Sequence, residues 1–233
     1  MQRQIFAIGG KFSVESWQQP LLQRHLLGLA KRPTPRICLL AGASGDSATA
    51  IETFYRELNQ HDCRPFHLNM YKPVTRDFED FFRSMDIVYV SGGATKNLVA
   101  VWRDWGVDGA LRAAWDGGVI MSGTSAGSIC WFESGLTDSF PTELLPVDCT
   151  GMLPGSGCPH YDSRPDRAPI FRRLIADGTM PSPGIGTDDD TAAHYIDGAL
   201  HEVVSQRATA GACIVARTNE GFSETPIPVR FLG

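Results

Sequence analysis

The sequence predicts an α/β fold built on a largely parallel sheet. Three observations carry this. Short apolar, β-prone runs end in glycine: Ile5-Phe6-Ala7-Ile8 before Gly9-Gly10, Ile37-Cys38-Leu39-Leu40-Ala41 before Gly42, and Ile87-Val88-Tyr89-Val90 before Ser91-Gly92-Gly93. The stretches between them carry apolar residues at helical spacing. Finally, Val119-Ile120-Met121 leads into Gly123-Thr124-Ser125-Ala126-Gly127, a buried strand turning sharply into a helix. Strands that alternate with helices favour a parallel sheet, and the ligand site of such a sheet lies beyond the carboxyl ends of its strands.

Taken in order, Ile5–Ile8 reads as the first strand and Ser16–Ala30 as a helix, with Trp17, Leu21, Leu22, Leu26, Leu27 and Leu29 on its apolar face. A second strand lies within Arg36–Ala43, a helix spans Ser47–Leu58, and a third strand spans Arg64–Met70. Asp77–Met85 reads as a short helix and Ile87–Val90 as a buried strand. Asn97–Trp105 and Val107–Trp115 are helical, and the Ser125 strand–turn–helix unit follows. From Pro141 onward, loops punctuated by Gly and Pro alternate with short strands such as Ala199–Val204 and Ala212–Ala216. These are expected to extend the same sheet, with antiparallel members at its edge. Thr179–Gly186 is the clearest loop candidate.

The 233 residues fit one domain, residues 1–233. A net charge of −5 and the absence of any Lys/Arg-rich run argue against nucleic acid or a membrane surface as partner. No stretch reaches the length of a membrane span, and the N-terminal apolar run is too short for a signal peptide, so the cytoplasm is the expected location. Cys38, Cys63, Cys130, Cys149, Cys158 and Cys213 are scattered, form no C-x-x-C pair and read as buried reduced thiols. Neither they nor the six histidines have metal-ligand spacing, so no metal and no cofactor is expected. The chain is expected to act as a monomer or homodimer.

Ser125 sits in a G-x-S-x-G pattern, where small neighbours allow a tight turn and the helix start leaves N–H groups free to stabilise negative charge. A serine hydroxyl needs a base and a group to orient that base. His25, His61, His67, His194 and His201 fall in or beside predicted helices and strands. His160 instead follows Pro159 in the turn-rich stretch Leu153–Tyr161, read as a rigid loop suited to holding a base. The orienting carboxylate is open between Asp138 and the run Asp188-Asp189-Asp190, three adjacent acids of a kind that usually face water or a cation.

The segments Gly92-Gly93, Gly123–Trp131, Leu153–Tyr161 and Gly184–Ala192, in that order, closely resemble the peptidase E family of serine peptidases, whose members include aspartyl dipeptidases and cyanophycinases. The resemblance implies a three-layer, mostly parallel sheet flanked by helices, similar to class I glutamine amidotransferases. It also implies a serine–histidine–acid order that falls on Ser125, His160 and Asp189, with Asp138 as the second choice of acid. The oxyanion donors would be the N–H groups of Gly93 and Ala126. Relatives often carry Gly-Gly-Gly-Asn where this chain has Ser91-Gly92-Gly93-Ala94, and many have Glu where it has Asp189. The shorter acid requires its loop to approach His160 more closely.

The activity implied is hydrolysis of small peptides, dipeptides with N-terminal Asp among them. Arg164, Arg167, Arg172 and Arg173 are candidates to receive the substrate carboxylate, against the plainer reading of solvated helix charges. An α/β-hydrolase esterase would use the order serine, acid, histidine, with Asp138 or Asp148 as acid. The Ser125–His160 interval is short for that architecture. A cyanophycinase-like hydrolase and a catalytically silent amidotransferase-like binding module are the remaining alternatives.

Overall fold

The computed structural model describes residues 2–10 and 21–233. The chain begins β1 (Gln4–Ile8), α1 (Leu21–Gly28), β2 (Arg36–Leu40), α2 (Ala48–Leu58), β3 (Arg64–His67), α3 (Phe78–Arg83) and β4 (Ile87–Val90). It continues with α4 (Thr95–Trp105), α5 (Val107–Asp116), β5 (Ile120–Thr124), α6 (Ala126–Ile129), β6 (Phe132–Thr137), β7 (Leu145–Asp148) and β8 (Leu153–Cys158). It ends with α7 (Arg167–Ala176), β9 (Gly184–Thr187), β10 (Thr191–Ile196), β11 (Ala199–Ser205), β12 (Ala212–Thr218), β13 (Gly221–Pro226) and β14 (Val229–Phe231).

The strands form two sheets. The first, in the order β14-β11-β10-β1-β5-β4-β2-β3, is parallel from β1 to β3. Antiparallel β10 and β11 lie on the other side of β1, and β14 runs parallel to β11. The second sheet has the order β13-β12-β9-β8-β6-β7, with β6, β8 and β9 parallel. Pro65, which cannot donate to a ladder, sits on the edge strand β3, where that cost is least.

Side-chain alternation along the central strands sorts the core. Phe6, Ile8, Ile37, Leu39, Ile87 and Ile120 face α1 and α2, packing on Leu22, Leu26, Phe54 and Leu58. Ile5, Ala7, Leu40, Val88, Val90 and Met121 face the other way. They join α3–α5 and, from the second sheet, Phe132, Leu153, Ile185 and Ala212. The far side of the second sheet packs on Phe171, Leu174 and Ile175 of α7.

The elements up to β5 follow the expected order, with small shifts of boundary. Asp77 caps α3 by accepting from the Asp80 N–H, and Gly106, at φ 69°, divides α4 from α5. The Ser16–Pro20 part of the first expected helix, including Trp17, lies outside the described residues. Two readings are corrected. Leu153–Cys158 is strand β8, and Gly184–Thr187, all but Thr187 inside the expected Pro-rich loop, is strand β9. The late strands do not all extend one sheet: β10 and β11 do, as antiparallel members, whereas β12 belongs to the second sheet. Glycine hid these strands. A side chain on Gly157 would crowd Ile129 and Phe132, one on Gly184 would meet Phe171, and one on Gly186 would meet the Tyr161 ring. Packing demanded glycine where β-propensity would have demanded bulk. Among the described residues no helix is long and apolar enough to cross a membrane.

Candidate active site

The chain crosses between the two sheets at two neighbouring places. β5 ends the first sheet at Thr124, and α6 carries the chain into β6 of the second; β9 ends at Thr187, and Asp188–Asp190 carry it back into β10. Ser125 is at the first crossing and Asp189 at the second. His160 stands just beyond β8, and its N–H donates to the Gly9 carbonyl at the end of β1 (2.9 Å).

Ser125 adopts φ 56° and ψ −111°, a conformation sparsely populated by residues with a side chain. The turn is held from both sides: the Ser125 N–H donates to Ile8 O (3.1 Å), and the Ser128 hydroxyl donates to Ser125 O (2.7 Å). The flanking glycines have a steric cause. A side chain on Gly123 or Gly127 would collide with the Val90 carbonyl, so both are required for α6 to pack against β4.

His160 Nδ1 lies 2.6 Å from Asp189 Oδ1, and His160 Nε2 lies 2.9 Å from Ser125 Oγ. An ionised carboxylate can only accept, which assigns the ring proton to Nδ1 and leaves Nε2 as acceptor for the Ser125 hydroxyl. Burial pushes the Asp189 carboxyl up. Hydrogen bonds from His160 and Ser163, with the charges of His160 and Arg207, outweigh it and hold the group below its ordinary value. Gly10 makes room for the pair, since any Cβ there would overlap the Asp189 carboxylate and the His160 ring.

Gly92 packs against the Ser125 side chain, and Gly93 follows at φ 140° with its backbone exposed. Among the described residues, neither the Gly93 nor the Ala126 N–H donates to another main-chain group. Chemically, the arrangement offers a hydroxyl, an acceptor placed to take its proton, an anion orienting that acceptor, and these two N–H groups with no main-chain partner, one at the start of α6 and one in the loop after β4.

Acidic runs usually face water or a cation, but here each member has its own protein partner, and Asp189 is the one aimed at His160. Asp188 accepts from the Gly211 N–H (2.7 Å), Asp189 accepts from His160, and Asp190, buried at φ 64°, accepts from Gln206 Nε2 (2.8 Å). No group of three or more His, Cys, Asp and Glu side chains among the described residues is arranged to hold a metal ion.

The second-choice acid, Asp138, is directed elsewhere. Its carboxylate pairs with Arg167 (3.1 Å) and Arg164 (3.4 Å). The four candidate arginines therefore divide. Arg167 is buried, donating to Leu136 O and paired with Asp138, so the reading of it as a solvated charge is wrong. Arg172 pairs with Glu224 (2.7 Å) and stands over the Tyr161 ring. Arg173 is exposed on α7. Arg164, half exposed, stands one turn beyond the base, its N–H donating to His160 O (3.2 Å).

Gly10 belongs to a strand-end glycine pair that the sequence marks as a suspect loop of the site, whereas two further contributors were not singled out from the sequence. Asp162 donates nothing to a motif, yet it accepts the Asp189 N–H at 3.0 Å. Arg207 comes from the turn after β11, where no spacing pattern marks it.

Comparison with known proteins adds the following. The model of peptidase family S51 matches residues 5–203. The uncharacterized peptidase YgaJ of Bacillus subtilis strain 168 is 44% identical over 232 residues, covering 99% of this chain and 100% of YgaJ. Among solved structures, a peptidase from an acI-B1 actinobacterium superposes with a TM-score of 0.69 at 18% identity, covering 98% of this chain and 95% of that one. A peptidase E candidate from Listeria monocytogenes EGD-e superposes with a TM-score of 0.65 at 15% identity, covering 90% of this chain and 100% of that one. At such identities the two structures speak for the fold alone.

Proposed function

The chain belongs to peptidase family S51, and on that premise we propose that it is a serine peptidase that hydrolyses small peptides through Ser125, His160 and Asp189. The observation that carries this reading is the unbroken chain of hydrogen bonds from Asp189 through His160 to Ser125, at 2.6 and 2.9 Å.

In this reading His160 Nε2 takes the Ser125 proton as Oγ attacks the scissile carbonyl. Asp189 holds the imidazole in the required tautomer and stabilises its protonated form. The Gly93 and Ala126 N–H groups receive the oxyanion, each such donor being worth about 2.7–4 kcal/mol in the transition state. His160 then returns the proton to the leaving amine, and water, activated by the same imidazole, hydrolyses the acyl-enzyme. The substrate class proposed is dipeptides with N-terminal Asp. Arg164 is the arginine we propose to receive the aspartyl carboxylate, because its backbone stands beside His160 and its half-exposed side chain is held by an exposed pair with Asp138 that a substrate carboxylate could replace.

The test is a panel of dipeptides varied at the N-terminal residue, run with the wild type and Ser125→Ala, together with labelling by a serine-directed phosphonate. Cleavage that is fastest for N-terminal Asp and lost in Ser125→Ala is expected. Absence of any dipeptide cleavage, or equal cleavage by Ser125→Ala, overturns the proposal. Turnover of short acyl esters without peptide cleavage would favour an esterase.

A further inference from the structure

Arg207 lies beyond residue 203, where the match to the family model ends, yet it reaches the Asp189 loop. Its Nη2 donates to the Asp162 carboxylate and to the Asp189 carbonyl at 3.0 Å, and its Nε stands 3.7 Å from Asp190 Oδ2. Asp162 in turn accepts the Asp189 N–H at 3.0 Å. Both main-chain polar groups of Asp189 are thus held by two side chains that also hold each other. Asp162 is two residues past His160, so this closed ring of bonds ties the loop of the base to the loop of the acid.

We propose that the Arg207–Asp162 pair is a clamp that sets the approach of Asp189 to His160, making Arg207 a positioning residue of the site. The inference rests on the reading of Ser125, His160 and Asp189 as the reacting set. Three features call for such a device. Aspartate has one methylene less reach than glutamate, so a 2.6 Å bond to His160 requires the main chain itself to be brought close. Gly10 removes the obstacle to that approach but supplies no attraction. Asp190, next in the chain, is held at φ 64°, a conformation that persists where surrounding bonds over-determine it.

The two bonds leave one guanidinium nitrogen, Nη2, whose two N–H groups lie in a fixed plane, whereas an ammonium on a flexible stem would have to be held in place to reach both acceptors. The placement of Arg207 itself is secured, because the Arg207 N–H donates to Ser205 Oγ (3.0 Å) and the preceding Gln206 N–H donates to Asp190 O (3.0 Å). Magnitudes separate a positioning role from a stabilising one. The Arg207 and Asp162 side chains are 36% and 31% exposed, and ion pairs in such settings contribute little to stability. Misplacing a reacting group by about 1 Å, in contrast, costs about 100-fold in rate.

The test compares Arg207→Met, Arg207→Lys and Asp162→Ala with the wild type. It uses the downfield proton resonance of the His160 Nδ1–H, the kcat and KM for an aspartyl dipeptide, the pH profile and the melting temperature. Arg207→Met is expected to lower kcat about 10- to 100-fold with little change in KM or melting temperature, and to weaken the downfield resonance. The acid limb of the profile moves to higher pH, because the positive charge favouring the ionised Asp189 is gone. Arg207→Lys restores part of the loss, and Asp162→Ala reproduces it. Should Arg207→Met fail to fold, the other two variants decide. Wild-type kcat, pH profile and downfield resonance in these variants overturn the clamp, as does a loss confined to melting temperature. Failure of the wild type to show Ser125-dependent turnover overturns the peptidase reading instead, and the downfield resonance still decides whether the pair sets the His160–Asp189 bond.

Discussion

The two sheets serve the site differently. The first presents Ser125 from the end of β5, among strands made of Ile, Leu, Val and Phe that are buried on both faces. The second presents His160 and Asp189 from the ends of β8 and β9, whose sequences, Leu-Pro-Gly-Ser-Gly-Cys and Gly-Ile-Gly-Thr, are rich in glycine. The first sheet is held by apolar side chains. In the second, glycines let Ile129, Phe132, Phe171 and Tyr161 lie directly on the backbone. On the proposed reading, the nucleophile needs a strained turn on a rigid support, whereas the base and its acid need two loops brought within a hydrogen bond of each other. Close backbone packing supplies the second requirement better than bulk does.

The sharpest way to break this contrast is at the second crossing. Asp189→Asn is expected to lower kcat by about 10⁴-fold, since an amide directs the wrong tautomer of His160, whereas Asp138→Asn leaves kcat largely intact. What Asp138→Asn loses is stability, about 1–3 kcal/mol, because the amide can still accept but no longer balances the charge of the buried Arg167. Comparing kcat with denaturation midpoints for both variants checks the pair. An Asp138→Asn enzyme that is stable but inactive would return that residue to the site.

Glycine substitutions come next. Gly10→Ala pushes the Asp189 carboxylate and the His160 ring apart and is expected to reduce kcat by about 100-fold or more. Gly157→Ala crowds Ile129 and Phe132 away from the reacting atoms, and its expected cost is about 1–3 kcal/mol of stability from overpacking. Steady-state kinetics beside thermal melts separate the two. Equal kinetic losses would mean that the second sheet is catalytic apparatus throughout.

The smallest expected effect belongs to the first sheet. His194 on β10 is buried between Phe6 and His201, its Nε2 on Gln4 and its Nδ1 without a partner. Burial first, then the charges of His201 and His25 against that of Glu202, lower its pKa from 6.5 to about 4. The unfolded chain therefore binds more protons than the folded one in that window. Stability must fall as pH drops from about 6.5 to about 4 and be fully present above it. Asp189, also held low, adds its own loss on further acidification. His194→Phe should flatten the upper part of the melting-temperature profile, and an unchanged slope would remove His194 from the account.

The same contrast explains what was legible in the sequence. Ile5–Ile8, Ile37–Leu40 and Ile87–Val90 announced themselves because burial on both faces selects β-branched and apolar residues. Ser125 and His160 were legible because a tight turn and a proline leave local marks. β8 and β9 were read as loops because the property that makes them work, close approach of rings to a bare backbone, removes the side chains from which a strand is recognised. Arg207 and Asp162 left no mark, since their link to Asp189 exists only in the folded chain.

The placement of the site at the two crossings has a consequence for the life of the chain before it is folded. Ser125 stands with Gly9 and Gly10 at paired strand ends of the first sheet, and His160 and Asp189 follow paired strands of the second, so Ser125 and His160 meet only when the sheets have docked, a long-range step of the kind that sets slow folding. Until then Ser125 is an ordinary alcohol. If Ser125 is the nucleophile proposed, its labelling rate by a phosphonate is a clock for docking during refolding, and a chain that has collapsed without docking holds no reactive serine with which to attack its unfolded neighbours.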